Sequence, residues 1–182
     1  VGMVAAGTLL SFLGTGFILF CLYFFRDPER PLPADQSKIY SPGDGRVLSV
    51  GREGPGDLVT LRIFLSVFAV HIQLSPCSGT VSKLHYQKGS FRAAMVSEAR
   101  GNERSVMTIA AEGAGRGLLV VEQIAGFVAR RIETWPQPGQ KVRVGERYGI
   151  IYFGSQAAVH FPSSARCTVK SGDRVVGGVT PI

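Results

Sequence analysis

Tyr148-Gly149-Ile150-Ile151-Tyr152-Phe153-Gly154-Ser155 is the stretch on which the reading of this chain turns. Its aromatic and β-branched residues, bounded by glycine, predict a strand rather than a helix. It ends on a Gly-Ser bond, just before a chain-terminal β segment. A serine hydroxyl held against the preceding carbonyl can shift the acyl group from N to O. β-Elimination of that ester leaves dehydroalanine, which hydrolyses to a pyruvoyl group. Gly-Ser is common in turns, so the surroundings must carry the claim.

Working outward, the same texture recurs. Leu58 to Leu65, Ser105 to Ala110 and Gly117 to Ile124 are short β-branched and aromatic runs broken by Gly and Pro, each a strand candidate. The Gly-rich link Glu112 to Gly117 predicts a hairpin connection. A short helix is expected only around Phe127 to Ile132, where Ala129, Arg130 and Arg131 are fair helix formers. Two internal similarities sharpen this. Ser41-Pro42-Gly43-Asp44-Gly45-Arg46-Val47 recurs as Ser75-Pro76-Cys77-Ser78-Gly79-Thr80-Val81, and Gly139 to Gly145 recurs as Gly172 to Gly178. Such turn-and-strand units are too few for a solenoid. They resemble the hairpins of lipoyl-type domains, and predict a mainly β fold, a barrel-like β-sandwich with lipoyl-like hairpins.

Ahead of this domain lies a different segment. The first charge of the 182 residues is Arg26, so residues 1–25 are uncharged and rich in Leu, Phe, Val and Ala. As a helix they are long enough to cross a hydrocarbon layer of ~30 Å. They read as a membrane span rather than a cleaved signal peptide. Tyr23, Phe24 and Phe25 form an interfacial aromatic belt, and Arg26 and Arg30 beyond it place the following domain, residues 26–182, on the cytoplasmic side of a cell membrane. Val1 stands where an initiator Met would, which leaves open residues or a second span upstream.

The net charge of +7 lies wholly outside the apolar stretch and favours an anionic membrane surface as partner. Nucleic acid is set aside, because the basic residues are scattered and not interleaved with stacking aromatics. Cys21, Cys77 and Cys167 form no CxxC pair and no metal-ligand spacing, which agrees with a reducing compartment and predicts no metal.

Taken together, these stretches resemble the phosphatidylserine decarboxylase proenzymes in their short bacterial and archaeal form. Phe25-Arg26-Asp27-Pro28-Glu29-Arg30 resembles the entry to that family's catalytic domain, and Ser41 to Gly45 its aspartate loop. Phe64-Leu65-Ser66 with Val70-His71 and Pro76 to Gly79 resembles its histidine motif. Asn102-Glu103-Arg104 is similar to its polar loop, Gln123 to Gly126 with Ala129 to Ile132 to the next segment, and Phe153-Gly154-Ser155 to its self-cleavage site.

The resemblance implies self-cleavage between Gly154 and Ser155. Its products would be a large fragment and a small one, Ser155 to Ile182, whose terminal serine becomes a covalent pyruvoyl cofactor; the two would stay together as a heterodimer, and a homo-oligomer is left open. It further implies a Schiff base with the amine of a phospholipid substrate, loss of carbon dioxide, and release of the ethanolamine phospholipid. Diacyl phosphatidylserine and the archaeal ether-linked lipid present the same headgroup and are not distinguished. His71 is the implied general acid/base, Ser155 the self-cleaving residue, and Asp44 a residue that orients a histidine or helps activate Ser155. Arg130 and Arg131 are candidates for a lipid phosphate, with a solvated basic pair as the alternative, and His85 and His160 read as ordinary strand histidines. The chain departs from the family's pattern at Ala69, Leu74 and Ala158. Those departures point to a second reading, an uncleaved, catalytically degenerate homologue acting as a membrane-anchored scaffold. A lipoyl-like adaptor comes third, since no heptad stretch accompanies the β unit.

Overall fold

A computed structural model describes residues 2–53, 57–91, 101–112, 117–126, 131–153 and 155–182. It opens with one helix, α1 (Gly2–Phe24). Its segment Ala5–Phe24 is long and apolar enough to cross a membrane, and its apolar side chains are exposed from Ala5 to Leu19, whereas Phe24 at its end is buried. A hydrophobic surface on all sides of a helix suits lipid rather than a protein core.

The rest is mainly β, as the texture of the sequence predicts. Among the described residues eleven strands follow: β1 (Gly45–Arg52), β2 (Leu58–Leu65), β3 (Ile72–Leu74), β4 (Gly79–Gln87), β5 (Arg104–Ala111), β6 (Gly117–Ala125), β7 (Ile132–Thr134), β8 (Lys141–Val142), β9 (Arg147–Ile151), β10 (Ser155–Pro162) and β11 (Arg174–Val175). Eight of them form one curled sheet in the order β11-β1-β2-β10-β6-β5-β4-β8, and β3-β9-β7 form a second, smaller sheet. Alternation sorts the faces: Leu61, Ile63 and Leu65 of β2, Met107 and Ile109 of β5, Leu119 and Val121 of β6, and Ala157, Val159 and Phe161 of β10 all join one buried core. β5 and β6 are antiparallel neighbours with Ala111 opposite Gly117, as the predicted hairpin requires, although residues 113–116 of the link lie outside the described residues.

The two halves of the sheet, β11-β1-β2-β10 and β8-β4-β5-β6, correspond strand for strand, and the repeated segments of the sequence supply the outer two strands of each half. Val47 of β1 faces Ile63 of β2, as Val81 of β4 faces Ile109 of β5. In turn Ile63 faces Ala157 of β10, as Ile109 faces Leu119 of β6. The two halves meet where Val159 pairs with Val121. Each Ser-Pro turn folds alike: Ser41 Oγ donates to the Gly43 carbonyl at 2.7 Å and Ser75 Oγ to the Cys77 carbonyl at 2.8 Å. Both repeats need glycine where the strand begins. A Cβ on Gly45 would lie 2.1 Å from the Phe64 carbonyl oxygen, and one on Gly79 2.3 Å from that of Ala110.

The predicted short helix over 127–132 falls largely on residues 127–130, outside the described residues. Its last member, Ile132, is not helical. It starts β7, where it pairs with Ile151 and is buried with Ala125. Helix propensity was overridden there by a tertiary contact.

Candidate active site

The site forms where the chain leaves the small sheet and enters the large one. β9 ends at Ile151 and β10 begins at Ser155, leaving three residues for the crossing. Phe153 adopts φ +60°, the left-handed region, and is the one described non-glycine residue to do so; for an aromatic residue this conformation is strained. Gly154 lies outside the described residues. Ser155 then enters the middle of the sheet, opposite Leu65 of β2 on one side and Ala125 of β6 on the other. It is fully buried, and its Oγ has no hydrogen-bond partner among the described residues. An orphaned buried hydroxyl costs about 1–3 kcal/mol and points to function.

His71 reaches the same end of the molecule from the β2–β3 connection. Ser66 to Ala69 form a tight turn, with the Ala69 N–H donating to the Ser66 carbonyl at 2.8 Å, and His71 immediately precedes β3. Its ring stacks on Phe24, the last residue of α1, with centroids 4.1 Å apart, and Phe24 in turn lies 4.7 Å from Phe153. One aromatic stack thus links the membrane helix, the histidine and the residue two positions before Ser155. His71 Nδ1 lies 3.0 Å from the Ala69 carbonyl. A carbonyl only accepts, so Nδ1 carries the proton and the lone pair of the neutral ring sits on Nε2. Burial pushes the His71 pKa down to about 4, with Arg26 adding to the fall, while the bond to Ala69 and the charge of Asp44 oppose it.

Asp44 sits in the bend before β1. Arg30 grips it with both guanidinium nitrogens, Nη1 to Oδ1 at 2.6 Å and Nη2 to Oδ2 at 2.8 Å, and the Gly177 N–H donates to Oδ1 at 2.8 Å. Its carboxylate therefore acts on His71 through space while its hydrogen bonds hold Arg30 and the β11 end in place.

Other residues of the site have no role assigned from sequence: Gln73 is not singled out, and Gln123 and Asn102 are marked only as parts of family-like segments. Gln73 follows His71 by two on β3, the same face by strand alternation. It is buried, its Nε2 donates to the His71 carbonyl at 3.4 Å, and its Oε1 has no partner among the described residues. Gln123 of β6 lies opposite Ala157, two residues along from Ser155 on the same face. It belongs to a buried polar chain, in which Thr134 Oγ1 donates to Gln123 Oε1 at 2.6 Å and pairs with Ser105 Oγ at 2.7 Å. Asn102, from the polar loop, donates to the carbonyl of Ala125 at 2.7 Å, the residue opposite Ser155. Period-two spacing could have found Gln73 and Gln123. The aromatic stack had no local signal.

The remaining candidates are placed as follows. Arg130 lies outside the described residues. Arg131 pairs with Glu133 at 2.7 Å and lies over the Tyr152 ring. His85 is exposed on β4. His160 bonds Thr60 Oγ1 through Nδ1 at 2.8 Å, and its Nε2 is 3.4 Å from Glu122. Burial pulls the Glu122 pKa up, but His160 and the charges of Arg104 and Arg62 outweigh it, and the net direction is down. Of the departures from the family pattern, Ala69 supplies a backbone carbonyl, a role open to any side chain. Ala158 faces away from Ser155, between Arg62 and Glu122.

Comparison with known proteins points to one family. The profile of the family described as phosphatidylserine decarboxylase matches residues 17–182. The chain is 44% identical to the phosphatidylserine decarboxylase proenzyme of Symbiobacterium thermophilum, over 98% of this chain and 83% of that protein. It is 44% identical to the corresponding proenzyme of Solibacter usitatus, over 88% and 76%, and 41% identical to that of Wolbachia sp. subsp. Brugia malayi, over 90% and 75%.

Proposed function

The chain belongs to the phosphatidylserine decarboxylase family, and on that premise we propose that it is a membrane-anchored proenzyme that cuts itself between Gly154 and Ser155. The mature form decarboxylates phosphatidylserine, or its archaeal ether-lipid equivalent, to the ethanolamine phospholipid. The observation that carries this reading is the buried, unpartnered hydroxyl of Ser155, directly after a segment strained at Phe153. Among the described residues no hydrogen bond competes for that oxygen.

In the cut, Ser155 Oγ attacks the Gly154 carbonyl carbon, the peptide C–N bond breaks, and an ester links the two parts. Loss of the Ser155 α-proton expels the Gly154 carboxylate and leaves dehydroalanine. Water then replaces its nitrogen, releasing ammonia and leaving a pyruvoyl group at the head of the 155–182 fragment. His71, neutral with its lone pair on Nε2, is the base for these proton transfers. Left-handed strain at a non-glycine residue is worth about 1–2 kcal/mol, and its release favours the cut.

The pyruvoyl carbonyl supplies an electrophile for the substrate amine and an electron sink for the carbanion left by decarboxylation. Around it, His71 holds the proton that returns to carbon. Asp44 and Arg30 fix the loop beside it, and Gln73 Oε1 offers a buried acceptor for a substrate N–H. The two fragments remain a heterodimer. The domain faces the cytoplasm in this reading, which the positive charges of Arg26 and Arg30 beyond α1 support.

The test is the intact mass of the purified protein. A fragment starting at position 155 with pyruvoyl in place of serine, absent from Ser155→Ala, supports the reading. A full-length chain alone, under conditions where a relative cleaves, would replace it with an uncut scaffold.

A further inference from the structure

One exposed aromatic residue of the domain is tied directly to the end of the membrane helix. Phe68 lies at the tip of the Ser66–Ala69 turn and is 65% exposed. Its carbonyl accepts two hydrogen bonds from the last turn of α1 and just beyond, from Tyr23 Oη at 3.2 Å and from Arg26 Nη2 at 2.8 Å. Arg26 also donates to the Tyr23 carbonyl at 2.8 Å and lies 3.9 Å over the Tyr23 ring. The turn is therefore clasped to the helix at one depth.

That depth is defined by the helix. Tyr and Arg at the end of an apolar span sit at the level of the lipid headgroups. A backbone carbonyl held by both lies at the same level, and Phe68 beside it is largely exposed. We infer that Phe68 is a second membrane anchor, a wedge that enters the headgroup and upper acyl region next to α1. Its partner is the bilayer itself. This rests on the reading of α1 as a membrane span.

The inference bears on the site, because the same turn ends in Ala69, whose carbonyl orients His71. Phe68 at the bilayer surface sets the His71 end of the domain against the lipid headgroups, so a lipid substrate need not leave the membrane to reach it. The clasp gives the enzyme a fixed tilt, set by two points rather than by one flexible span.

The experiment uses the full chain in a Trp135→Phe background, reconstituted into vesicles of phosphatidylglycerol and phosphatidylcholine, with Phe68→Trp as the probe. Because the Phe68 ring is exposed, the replacement disturbs no packing. Expected is a blue-shifted emission, and a loss of intensity when the lipids carry bromines near the glycerol end of their chains. Emission at the water value with no quenching would overturn the wedge. A blue shift without bromine quenching would also overturn it, assigning the cover to a second copy of the chain. A parallel probe, Phe17→Trp, separates the two levels of the argument. If it is quenched by bromines deep in the chains while position 68 is not, the span stands and the wedge fails; if neither is quenched, the span reading fails first.

Discussion

The buried neutral His71 makes a quantitative demand on how this protein responds to acid. Its pKa falls from 6.5 to about 4 on folding, chiefly through burial. Between those values the unfolded chain binds a proton that the folded chain refuses, so the unfolded state gains as pH drops. Stability is at its full value above about pH 6.5 and falls as pH decreases toward 4. At 1.36 kcal/mol per pH unit, the gap corresponds to an upper limit of about 3 kcal/mol, a sizeable share of the 5–15 kcal/mol typical of a domain. The assay is denaturant unfolding of the uncut Ser155→Ala protein in detergent micelles at several pH values, against the same protein carrying His71→Gln. Glutamine removes the titration and also packing, so the absolute difference is uninformative and the slopes carry the result. As pH falls through the middle of this window, the histidine protein should lose about 1 kcal/mol per pH unit more than the glutamine variant. Parallel curves would refute the reasoning, and would mean that the imidazole is hydrated or charged in the folded state.

The two repeat glycines should behave as a pair: Gly45→Ala and Gly79→Ala, each forcing a Cβ onto a backbone carbonyl, are expected to cost about 2–3 kcal/mol in thermal or denaturant unfolding. Gly51→Ala, with nothing within 4 Å, should be close to neutral, and a neutral Gly79→Ala would count against the tight register of β4. Arg30→Met strands the Asp44 carboxylate, and since this pair is only partly exposed the loss should approach the lower end of the 3–5 kcal/mol of a buried pair, about 2–3 kcal/mol. In an Asp44→Asn background the same change should cost much less, and additive effects in that double-mutant cycle would show that the two groups do not interact.

Much of the sheet was legible because its long strands carry their own signals. Leu58–Leu65 has the right composition and alternation, and its bounds coincide with those of β2. The Ser-Pro repeat announced two matching hairpins. What could not be read were β3 and β7, three residues each, too short for any periodicity to register; β8 and β11, two residues each, were marked only by the repeated turn-and-strand unit of 139–145 and 172–178. They exist because a partner strand is waiting. Ile132 shows the same lesson from the other side, since its local helix preference lost to a place opposite Ile151. At the site, the chemistry-bearing types were visible, but their environment was not. Nothing near position 71 in the sequence indicates that Phe24, far back in the chain, will cover the ring, nor that Arg30 will take the Asp44 carboxylate.

The central position of β10 changes what a break in the chain would mean. This strand has β2 on one side and β6 on the other, with Ser155 at its first position. A pair of subunits that meet by diffusion can be parted by dilution. Two pieces released from one finished sheet, with the smaller one threaded through its middle, cannot be parted that way, because the route out runs through unfolding. Their association would be independent of concentration, and would last as long as the fold does.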